Sequence, residues 1–165
     1  MAVQNINGVR LTLTAPDAVH PDVLDTKHPD HDPLAVVAEL VFENISPAPL
    51  KLPLEEIGNG LVRIYSVENQ PTPLIDNRIP PPPVDGAVAT LLPGANHVER
   101  RRIDWPPILS RPTRAAPVSL TFCLEWQADW LRAGNYAPGA VQWNADFKLC
   151  EVIEVSLEAE RPRHQ

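Results

Sequence analysis

Apolar and polar side chains alternate with a period of two in several separated segments, the pattern of half-buried strands. Val9, Leu11 and Leu13 alternate with Arg10, Thr12 and Thr14, and Pro16 ends the run. Over 34–45, Leu34, Val36, Ala38, Leu40 and Phe42 fall on one face and Val37, Glu39, Val41 and Glu43 on the other, which predicts a long central strand. Asn44-Ile45-Ser46-Pro47 then supplies turn chemistry, and Pro49 and Pro53 confine the following residues to an edge or an extended loop. Residues 60–67 alternate again behind an Asn59-Gly60 turn signal. Short strands are predicted at 87–92 and 97–105, separated by Pro93-Gly94-Ala95-Asn96 and stopped by Pro106-Pro107.

Farther along, Leu120, Phe122, Leu124 and Trp126 alternate with Thr121, Cys123 and Glu125. One helical turn fits 128–132 before Gly134, a residue suited to left-handed backbone. A closing strand over 147–159 sets Phe147, Leu149, Ile153, Val155 and Leu157 on one face and Lys148, Cys150 and Glu154 towards solvent. The expected fold is all-β: one domain over 1–165, an antiparallel immunoglobulin-like β-sandwich of about seven to nine strands. Long Pro-rich loops near 17–33 and 69–86 and a frayed tail at 161–165 complete it.

Composition narrows the function. The chain has 165 residues with 20 Pro, a density that excludes long helices because an interior proline removes a donor and costs ~3 kcal/mol. With 14 Lys+Arg against 21 Asp+Glu, the net charge of -7 argues against nucleic acid, whose affinity rests on clustered basic residues. No signal-like or membrane-spanning run is visible, so no membrane insertion is expected. The two cysteines, Cys123 and Cys150, do not make a disulfide framework, and reduced thiols in a cytoplasmic protein are the expectation. No nucleophile elbow, phosphate loop, dinucleotide fingerprint or Cys-x-x-Cys pair occurs, so an enzyme is not expected, nor is a cofactor.

Two segments carry a family resemblance. Leu92-Pro93-Gly94 is followed, after a charged strand, by Ile103-Asp104-Trp105, and Leu131-Arg132-Ala133-Gly134-Asn135-Tyr136 forms a Gly-x-Tyr corner. Together with Phe42-Glu43-Asn44-Ile45-Ser46, they resemble the bacterial intracellular proteinase inhibitor family of immunoglobulin-like β-sandwich domains. The likeness covers about half of the chain, and its motifs mark turns rather than a reactive site. It implies a non-enzymatic protein-binding domain, with a proteinase as the sharpest form of partner.

Several positions could bear that function. Pro80 to Pro83 (Pro80, Pro81, Pro82, Pro83) form a stiff polyproline segment that an aromatic groove could read, or that only rigidifies a connection. Arg100 and Arg102 share one strand face and could meet an acidic partner, or could discourage edge pairing. Trp130, Tyr136 and Trp143 are the candidates for an exposed aromatic cluster, against packing in core or rim. His28, Asp30, His31 and Asp32 are metal-ligating types within a loop holding three of the five histidines, although the simpler reading is a solvated connection. A structural or assembly subunit pairing through exposed edge strands is the competing class.

Overall fold

The computed structural model describes residues 1–14, 35–58, 62–66, 75–76, 87–104 and 118–155. They form antiparallel sheets with little helix. The first sheet orders its strands β1 (Ala2–Ile6), β2 (Val9–Thr14), β3 (Ala35–Asn44) and β8 (Asn96–Asp104). The second runs β10 (Phe147–Val155), β9 (Val118–Trp126), β5 (Val62–Ser66) and β6 (Ile75–Asp76), while β4 (Leu50–Leu52) pairs with β7 (Ala89–Leu91). Both four-stranded sheets feed one apolar cluster. Leu11, Leu13, Ala38, Leu40 and Phe42 come from the first, Phe122, Leu124, Trp126, Phe147 and Leu149 from the second, and Phe42 meets Phe147 edge-on at 6.2 Å between ring centres. Among the described side chains, the alternation in the sequence therefore points the expected residues inward.

Three features depart from the expectations. Asn7-Gly8 turns the chain between β1 and β2, with φ of 48° and 85°, the left-handed pair that a two-residue hairpin turn requires. The sequence pattern places that signal at Asn59-Gly60 instead, which lies outside the described residues. Second, a five-residue helix, α1 (Leu54–Gly58), follows Pro53 where the prolines predict only edge or loop, and its Ile57 amide donates to the Pro53 carbonyl at 3.0 Å. Third, the expected helical turn near 128–132 is a 3-10 turn at Ala128–Trp130, followed by another at Ala133–Asn135. Gly134 sits inside the second, so it is not left-handed; Gly139 is, at φ 74°.

The cysteines require a correction. Cys123 and Cys150 are directly opposite one another on β9 and β10, with Cα atoms 4.2 Å apart, and they form a disulfide. Cross-strand neighbours without mutual hydrogen bonds approach this closely, so the register alone brings the sulfurs within bonding reach. Cys123 also lies on the face opposite Phe122 and Leu124, as expected, yet it is buried. No helix among the described residues is long and apolar enough to cross a membrane.

Candidate functional site

Three turns lock together at one end of the first sheet. β3 stops pairing with β2 at Asn44, which faces Val9, and with β8 at Glu43, which faces Asn96. Asn44 is fully buried. Its Nδ2 donates to the carbonyls of Ala48 and Leu91, both at 2.8 Å. Its Oδ1 accepts from the Ser46 amide at 2.9 Å and the Ser46 hydroxyl at 2.7 Å, so every donor and acceptor of the side chain is used. The Asn44 main chain donates to Ala95 at 3.0 Å and accepts from Gly94 at 2.8 Å, which fastens the Leu92-Pro93-Gly94-Ala95 turn. Ile45 in turn donates to the Gly8 carbonyl at 2.9 Å, tying in the hairpin turn.

The outcome is a rigid surface with apolar side chains on it. Ile45 is 41% exposed and Leu92 60%, each on a turn whose backbone is held by hydrogen bonds to neighbouring turns. Pre-organised turns lose little conformational entropy when they meet a partner, which is the usual cost of loop-borne contacts.

A second arrangement stands on α1. Glu56 is fully buried, and its carboxylate accepts from the Arg132 amide at 2.7 Å and the Tyr136 hydroxyl at 2.5 Å. Burial, then the hydrogen bond and charge of Glu56, push the Tyr136 phenol well above its ordinary value of about 10. The phenol stays protonated and donating at physiological pH. An open, mainly apolar cleft of about 270 Å³ adjoins it, lined by Leu131, Ala133, Tyr136, Pro138, Gly139 and Val141. Chemically this corner is a structural tie beside an apolar surface, because both carboxylate oxygens already serve the fold.

Among the described residues, the expected site residues do not converge. Trp143 is core: it is buried, packs edge-on to Phe42 at 6.4 Å and donates from Nε1 to the Ile6 carbonyl at 3.0 Å. Trp130 is half-buried and stands edge-on to Trp126 at 5.7 Å, while Tyr136 is held by Glu56. An exposed cluster of the three is therefore not formed, because indole burial and hydrogen bonding place Trp143 inside. Arg100 is exposed and pairs through Nε with Glu39 Oε1 at 2.8 Å. Arg102 lies on β8, and its side chain is outside the described residues, as are Pro80 to Pro83, His28, Asp30, His31 and Asp32. Among the described residues no group of three or more His, Cys, Asp or Glu is placed to hold a metal.

The sequence pattern does not single out the turn cluster as a site. Its parts are legible separately, as turn chemistry at 44–47 and a Leu-Pro-Gly turn, but Asn44 and Leu91 are 47 residues apart and no local pattern joins them. No protein-family model matches the sequence, and neither does any curated protein.

Proposed function

We propose that this chain is a non-enzymatic protein-binding domain, an immunoglobulin-like β-sandwich that docks a partner protein through the locked turns at 44–48 and 92–95. The observation that carries this reading is the exposure of Ile45 and Leu92 on backbone fixed by Asn44. Apolar side chains on a pre-organised surface can be buried against a partner with little ordering cost. The resemblance to the intracellular proteinase inhibitors makes a proteinase the sharpest form of partner, since Phe42 to Ser46 and Leu92 to Gly94, two of the segments that carry it, meet at this place.

The experiment is affinity capture from the native host with the full chain, Ile45→Asp and Leu92→Asp side by side, joined by inhibition assays on a panel of serine and cysteine proteases. A partner captured by the wild type and lost from both folded variants supports the reading; equal capture by all three overturns the docking site. Failure to slow any protease removes the inhibitor form and leaves protein binding standing. A cytoplasmic location belongs to the same reading; a disulfide is uncommon there, and fractionation of the native host decides it independently.

A further inference from the structure

Strand register builds an apolar row across the outer face of the first sheet. Val3 pairs with Thr12, Thr12 with Val41 and Val41 with Val98, on the face opposite Leu11, Leu40 and Phe42. The ends of the row are the most open, Val3 at 53% and Val98 at 42% exposure. The row nearer the turns holds Asn5, Arg10, Glu43 and Asn96, and the one beyond holds Thr14, Glu39 and Arg100. Arg10 Nη1 lies 3.1 Å from Glu43 Oε1, so a cation sits on β2 and an anion beside it on β3.

We propose that this face binds a second copy of the chain, the two sheets stacking about a two-fold axis that runs along the strands between β2 and β3. Such an axis exchanges β1 with β8 and β2 with β3 and leaves each row facing itself. Val3 then meets Val98 of the second copy, and Thr12 meets Val41. Arg10 faces Glu43 of the second copy and Glu43 faces its Arg10, which closes a ring of four alternating charges. An axis across the strands would instead set Glu43 against Glu39, and like charges in apposition oppose association. Aligned stacking of twisted sheets about 10 Å apart is ordinary sheet packing. Three short rows on four strands make a small interface, so the expected affinity is micromolar.

The proposal does not use the turns at 44–48 and 92–95, so partner capture and self-association can fail separately. Light scattering on the eluting protein tests it. The wild type at about 200 µM should run at twice 18.2 kDa and dissociate on dilution into the low micromolar range. Arg10→Glu and Glu43→Arg should each raise the dissociation constant at least about tenfold, because each places like charges opposite one another across the axis. An equimolar mixture of the two should dimerise again, because the glutamate introduced in one variant then faces the arginine introduced in the other. Val98→Lys should weaken the wild-type dimer, and far-UV circular dichroism should show every variant folded. A wild type at single-chain mass throughout, single variants that dimerise as the wild type does, or a mixture that stays monomeric would each overturn the proposal.

Discussion

Asn44 satisfies four hydrogen-bonding positions with one buried amide, so its chemistry cannot be replaced by shape alone. Asn44→Asp keeps the volume and the acceptor for Ser46 but turns an oxygen towards the carbonyls of Ala48 and Leu91. We expect a loss of about 3 kcal/mol in urea denaturation, the size of two lost donors plus an unpaired buried group. Tyr136→Phe removes the donor to a fully buried carboxylate oxygen, and a loss of about 2 kcal/mol is expected. The same substitution has a signature in pH. Tyr136 is pushed above 10 in the folded chain, so above pH 10 the unfolded state releases the proton while the folded state keeps it. The tyrosine's contribution is thus complete below that pH and declines as pH rises above it, and Tyr136→Phe should flatten the alkaline fall in melting temperature.

At the level of elements, the hairpin of β1 and β2 depends on Asn7-Gly8. A Cβ added to Gly8 would stand 3.0 Å from Ser46 Cβ, with φ already at 85°. Gly8→Ala combines left-handed strain with a close contact, and a cost of roughly 1–3 kcal/mol is expected, or several degrees of melting temperature. Because the Ser46 turn must move, the change should also weaken partner capture, which Asn7→Gly should leave intact. Strands β2, β3, β8, β9 and β10 are legible because their alternation is long enough for the period to show. β7 falls within the short strand expected at 87–92, whereas β4, of three residues, carries too few positions for a period and exists because it pairs with β7. α1 is hidden for a related reason: five residues following a proline give no helical stripe, and Glu56 among its buried side chains breaks the apolar pattern. Only the partners supplied by Arg132 and Tyr136 make a buried glutamate tolerable there.

For the whole molecule, the Cys123–Cys150 bond acts mainly on the unfolded chain, closing a loop with a sequence separation of 27. Chain entropy puts that at roughly 3–4 kcal/mol. A dithiol reductant, or the double substitution Cys123→Ala and Cys150→Ala, should lower the melting temperature by several degrees without abolishing the fold, since β9 and β10 remain paired over nine residues. Collapse of the fold on reduction would mean that the ladder does not hold by itself. The sequence by itself determined the all-β class, the inward faces of the long strands and the turn chemistry at Asn44 and Pro93, because these follow from neighbours a few residues apart. Tertiary structure alone decided that Asn44 grips Leu91, that Glu56 holds Tyr136, that Trp143 is core and that the two cysteines meet. Each depends on strand register and on burial between distant segments, and a period of two says which face a residue takes, never which residue lies across from it.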